Sequence, residues 1–151
     1  MMLDLYEELR ALAIAFDAAG VEFALCGGLA LAVHGHPRAT KDIDLVVPRE
    51  HIALAKNVAR ASGFVLSALP MKFANSGVEI ERVSKIVGSD VLMLDLLVVN
   101  EALITVWESR CRLPWGNGEL PVVSREALIS MKLAAGRPQD LADLAKLQES
   151  E

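Results

Sequence analysis

The stretch CGGLALAVHGHPRATKDIDLVV, Cys26 to Val47, decides the fold. It is entered from Glu22 to Cys26 (EFALC), a short apolar run bounded by Gly20 and by Gly27-Gly28, whose length favours a strand over a helix. The two glycines open an Ala- and Leu-rich segment, Leu29 to His34, which has good helix propensity and is closed by Gly35 and Pro37. Lys41 to Val47 (KDIDLVV) is apolar and β-branched after its first residues and ends at Pro48, so it reads as a strand covered on both faces. Residues two apart on a strand share a face. Asp42 and Asp44 therefore aim together, while Ile43 and Leu45 point to the other side.

Working outward, Leu5, Leu9, Leu12 and Phe16 make the stripe of an amphipathic helix over Leu3 to Ala19. Downstream, Arg49 to Ser62 is a second amphipathic helix, followed by a strand from Phe64 to about Ala68. Val78 to Val87 and Val91 to Val99 read as two strands joined by the turn Gly88-Ser89-Asp90. Glu101 to Arg110 reads as helical, and Pro114, Gly116, Asn117 and Gly118 mark a loop or hairpin ending in a strand at Leu120 to Val123. Ser124 to Ala135, weakly capped by Ser124, and Pro138 to Leu147 close the chain as helices. The sequence has no repeat, low-complexity tract or linker. The expectation is one α/β (α+β) domain over residues 1–151, a mixed sheet flanked by helices, with a core at about 20–123 and C-terminal helices at about 124–149.

Within Val91 to Val99 stands one charge, Asp95, among Leu94, Leu96, Leu97 and Val98, where an unpaired carboxylate would cost several kcal/mol of desolvation. It needs a partner. If its strand neighbours Lys41 to Val47, three carboxylates converge into an oxygen site suited to a hard divalent cation, magnesium above all. Gly27-Gly28, between a strand and a helix, would leave backbone N–H groups free to hold a phosphate, although such a pair is as often a plain turn. Two metals between a phosphate cradle and three acids would clamp a triphosphate and activate an attacking hydroxyl.

Composition narrows the alternatives. The 151 residues are 53% hydrophobic and 23% charged, enough for a core without disulfides. Lysine and arginine number 15 against 20 acids, a net charge of −5, and aromatics are 5%, so neither a general basic footprint nor stacking platforms for nucleic acid are indicated. Cys26 and Cys111 show no CxxC pairing and read as reduced core residues. No apolar run approaches a membrane span and the N-terminus is acidic, so the expected compartment is the cytoplasm, with no membrane partner.

The segment Cys26 to Val47 resembles the nucleotidyltransferase superfamily that includes DNA polymerase β, and most closely its bacterial abortive-infection toxin branch. The shared features are Gly-Gly opening a helix, Ala30, His34-Gly35, Arg38 and Thr40 as Arg-x-Thr, then D-x-D. The family's third acid matches Asp95 in LMLDLLVV, and ISMKLAAGRPQDLADLAKL looks like its C-terminal motif, with Lys132, Arg137, Asp140 and Asp143 in place. The resemblance implies a magnesium-dependent transferase moving a nucleoside monophosphate from an NTP to a hydroxyl acceptor, with two Mg2+ ions, or Mn2+, on Asp42, Asp44 and Asp95. It implies nucleotide binding by Gly27, Gly28, Arg38, Thr40, Lys132 and Asp140. The acceptor stays open among a tRNA end, a protein side chain and a small molecule, as do an antitoxin partner and a homo-oligomer.

Other readings stand beside these. Arg38 and Lys41 either neutralise phosphate or merely balance Asp42 and Asp44. Lys132 is by itself a solvated helix residue, and Asp140 is equally a first-turn dipole or cap residue. His34 and His36 are read as helix-end histidines rather than ligands, imidazole being a poor match for magnesium. A non-catalytic or partner-regulated NTP-binding module and a metal-dependent phosphoester hydrolase remain the competing functions.

Overall fold

The computed structural model describes residues 4–149. Helix α1, Leu5–Ala19, starts where the Asp4 carboxylate accepts the N–H groups of Tyr6 and Glu7, and stops at Gly20 in the left-handed conformation. Leu3, where the helix is expected to begin, lies outside the described residues. Then come β1 (Ala24–Cys26), α2 (Gly27–Val33), β2 (Asp42–Pro48), a 3₁₀ turn (Arg49–His51), α3 (Ile52–Ala61), β3 (Leu66–Ser67) and β4 (Met71–Lys72). The chain continues through β5 (Glu79–Val87), β6 (Asp90–Val99), α4 (Ile104–Glu108), β7 (Cys111–Trp115), β8 (Gly118–Val122), α5 (Arg125–Ala135) and α6 (Pro138–Glu149).

The strands form one eight-stranded mixed sheet in the order β3-β5-β6-β2-β1-β8-β7, with β4 also paired to β5. β2 and β6 run parallel at its centre, β5 and β1 flank them antiparallel, and β1 pairs parallel with β8. Alternation sorts the two faces. Ile43, Leu45, Leu94 and Leu96 are fully buried, and on their side of β5 Glu81 bonds Lys56 of α3 while Lys85 bonds Glu8 of α1. That face is therefore covered by α1 and α3, which insert Leu9, Leu12, Phe16, Ile52, Ala55 and Ala59. Burying each leucine or phenylalanine contributes about 1.5 to 3 kcal/mol. The opposite face carries Asp44 and Asp95, and α5 and α6 lie on that side.

Several expectations are corrected. The helix expected over Glu101 to Arg110 is only α4, because Asn100 holds a turn in front of it, its side chain accepting the Ala102 N–H and its carbonyl the Leu103 N–H. The strand expected at Phe64 to Ala68 shrinks to β3. Residues 111–115 form an additional edge strand, where Pro114 is tolerated because an edge leaves one side of the backbone unpaired. Cys111 is consequently exposed rather than in the core, while Cys26 is buried as expected.

Candidate active site

Strand register builds the site. Cys26 pairs with Asp44 across β1 and β2, Asp44 with Asp95 across β2 and β6, and Asp95 with Arg82 across β6 and β5. Paired residues share a face, so these four side chains form one row across the four strands, with Asp42 a single alternation further along β2. The three acids expected to converge do so.

Their electrostatics show the convergence. Burial, followed by the charges of Asp95 and Asp42, pushes the Asp44 carboxyl up to about 7, against the pull of Lys132 and Arg137. Burial and then Asp95 also raise Asp42. Burial, reinforced by Asp44, pushes the Cys26 thiol well above its ordinary range, which leaves it a neutral neighbour. Asp95 finds its partner in Arg82, whose Nε and Nη2 donate to its two oxygens at 2.7 and 3.0 Å. Arginine 82 was not singled out in the sequence, although a charge at the strand position opposite Asp95 is the signal that could have found it. Among the described residues Asp42 and Asp44 have no hydrogen-bond or ion-pair partner. Among those same residues no three acidic, histidine or cysteine groups already stand arranged as ligands for a metal. The donor chemistry nevertheless fits a hard dication, with two free carboxylates pressed against a third that keeps lone pairs beyond its arginine fork.

The glycine turn serves these side chains directly. Gly27 is left-handed, φ 70°, and a Cβ there would overlap the Asp44 carboxylate. A Cβ on Gly28 would stand 2.9 Å from Thr40 Oγ1 and 3.2 Å from Arg38 Nη2. The positive φ thus belongs to Gly27, and the missing side chains make room for Asp44, Thr40 and Arg38. The helix begins at the glycines rather than at Leu29.

Arg38 and Lys132 belong to one buried network with α6. The guanidinium of Arg38 donates to both oxygens of Asp143 at 2.9 and 3.0 Å, Gln139 adds a third bond at 2.9 Å, and Lys132 Nζ lies 2.9 Å from Asp143 and 3.6 Å from Asp140. Lys132 is only 6% exposed, so the solvated-lysine reading is overturned, and its charge is felt at Asp44. Burial pushes Asp140 upward, but hydrogen bonds from the Arg137 side chain and N–H outweigh it and hold the carboxyl low. Asp143 is likewise held low against burial by Arg38, Lys132 and Gln139. His34 Nε2 bonds the Val123 carbonyl at 2.9 Å, tying the end of α2 to the residue that follows β8.

This mixed sheet and its helices are the fold of nucleotidyltransferases. The lincosamide antibiotic adenylyltransferase LnuA, in its lincomycin-bound crystal structure, superimposes with a TM-score of 0.69 at 16% identity, covering 94% of this chain and 95% of that one. ANT(2″)-Ia in complex with adenylyl-2″-tobramycin gives 0.64 at 16%, covering 94% and 86%. A Thermotoga maritima protein assigned as a nucleotidyltransferase gives 0.60 at 16%, covering 99% and 97%. Among curated proteins no sequence matches. The chain belongs to the nucleotidyl transferase AbiEii toxin family of type IV toxin–antitoxin systems, whose model matches residues 10–151. Among the described residues no helix is long and apolar enough to cross a membrane.

Proposed function

We propose that the chain transfers a nucleoside monophosphate from an NTP to a hydroxyl acceptor, releasing pyrophosphate, and that Asp42, Asp44 and Asp95 are its metal-binding acids. The observation that carries this reading is a pair of carboxylates without partners among the described residues, Asp42 and Asp44, placed beside Asp95 by strand register, where burial and then the neighbouring acids push Asp44 up to about 7. Like charges packed this way favour a bound cation. Magnesium or manganese held there supplies Lewis-acid stabilisation of phosphoryl oxygens and lowers the pKa of an attacking hydroxyl. Asp42 and Asp44 offer their free oxygens, and Asp95, oriented by Arg82, offers its remaining lone pairs. Gly27 and Gly28 keep Asp44, Thr40 and Arg38 close enough to act on one triphosphate. Lys132, Arg38 and Asp140 act on that triphosphate through the α5–α6 network, Lys132 and Arg38 offsetting phosphate charge and Asp140 fixing the lysine.

Membership of a toxin family supports a toxin role with a cognate antitoxin, and the cytoplasm as the place where both NTP and acceptor are found. The structural neighbours, one described with adenylyl-2″-tobramycin and one with lincomycin, support a small-molecule acceptor, while a tRNA end and a protein side chain are the other two classes.

The test is to incubate the protein with each α-labelled NTP and magnesium, with and without bulk cellular RNA. Label joined to RNA, protein or an added small acceptor supports transfer. Tight nucleotide binding without label transfer, or release of labelled monophosphate to water alone, contradicts it and favours the binding-module or the hydrolase reading.

A further inference from the structure

The acid row ends on a cation, which the metal reading above uses only to orient Asp95. Arg82 engages both oxygens of Asp95 from the adjacent strand, at 2.7 and 3.0 Å, with Asp95 only 6% exposed. Lys132 and Arg137, the other cations felt at Asp44, are each bonded to acids of α6. With all three carboxylates ionised, as a bound cation requires, the row holds three carboxylates and one guanidinium bonded only within the row, a net charge of two negative units.

We propose that Arg82 is a positioning residue that fixes Asp95 and sets the charge of the acid face, so that the chain without nucleotide takes one divalent cation rather than two. A fork leaves each carboxylate oxygen a further lone pair, so Asp95 can be held by Arg82 and still face the cation. One dication neutralises two negative units. A second would leave the face positive, and enters only with the negative charge of a triphosphate. Hydrogen bonds to ligating carboxylates orient them, and losing such a partner typically costs about 10- to 100-fold in affinity or activity. Arg82 differs from an ordinary orienting partner in carrying charge, so its loss acts on affinity and turnover in opposite directions.

This inference rests on the metal reading, and the experiment separates the two. Mn2+ is titrated calorimetrically into the full chain without nucleotide, for the parent, Arg82→Gln, Asp95→Asn, the double variant, and Asp44→Asn. The parent should bind one ion. Arg82→Gln, with a net charge of three negative units, should bind at least about tenfold tighter, because a positive charge a few ångströms away has been removed. Its label transfer should nevertheless fall about tenfold or more. Asp95→Asn should bind about tenfold weaker than the parent, and adding Arg82→Gln to it should bring affinity back to within about threefold of the parent, since both then carry two negative units. A merely structural arginine would lower affinity and transfer together. Two ions on the parent, unchanged or weaker binding by Arg82→Gln, or no recovery in the double variant would overturn the proposal, and the Asp95→Asn pair decides it even if Arg82→Gln alone does not fold. Parental Mn2+ binding by Asp44→Asn would instead overturn the metal site itself.

Discussion

At the scale of single residues, Asp44 is where burial and like charge meet, and the sign of its pH effect follows. In the unfolded chain an aspartate titrates near about 3.9, whereas in the fold Asp44 holds its proton up to about 7. Between those values the folded state binds the extra proton, so this residue's effect is to make stability fall as pH rises from about 4 to about 7. Asp140 and Asp143, held low, act oppositely: their contribution is present above the unfolded value and is lost as pH falls through their own. The metal-free protein should therefore melt lower at about pH 8 than at about pH 5.5, and Mn2+ should raise the melting temperature more at the higher pH. Scanning calorimetry at both pH values checks this, and Asp44→Asn should flatten both trends. Gly27 gives a second prediction. Alanine there meets left-handed strain of about 1 to 2 kcal/mol and the Asp44 carboxylate at once. Gly27→Ala should lower stability in urea by at least that strain and abolish label transfer, and an unchanged midpoint would show that the turn relaxes freely.

Among the elements, β2, β5 and β6 were legible because a hydrophobic run with a turn at Gly88 leaves few alternatives, and because D-x-D alternation fixes a face. What period and propensity do not contain is which strands become neighbours. Even within a hairpin, Arg82 in ERV reads as one more polar residue until the register sets it opposite Asp95. The same holds for α5 and α6. Their helical periods were readable, but the burial of Lys132 depends on Asp143 and Asp140 arriving from the next helix, and a lysine in SMKLAAG carries no local sign of that. Edge strand β7 and the two-residue β3 and β4 are fixed by pairing rather than by their own residues, so the sequence alone neither shows β4 and β7 nor bounds β3. The buried network gives Lys132 a part in stability as well. Removing one partner of a buried ion pair costs about 3 to 5 kcal/mol, and Asp143 retains Arg38, so Lys132→Ala should lose about 3 kcal/mol in urea denaturation as well as transfer. Parental stability would show that the pair contributes nothing net.

Across the whole molecule, the sheet divides the work. One face is sealed by α1 and α3 over aliphatic side chains, and the other gathers carboxylates under α5 and α6, where the buried Lys132 of α5 turns inward to Asp143 of α6. On the proposed reading the use of these carboxylates is to hold a dication and through it a triphosphate. Family membership gives nucleotidyl transfer as the class of reaction and the fold is that of nucleotidyltransferases, and on the proposed reading the acids tie that class to particular atoms. The central claim is that transfer runs through Asp44. Asp44→Asn removes one charge, keeps the shape and relieves repulsion, so the variant should fold at least as stably as the parent. The direct measurement is label transfer from an α-labelled NTP by parent and Asp44→Asn side by side, each first shown to be folded by its melting curve. The account predicts transfer by the parent and none by the variant; transfer by the variant at the parental rate would contradict it.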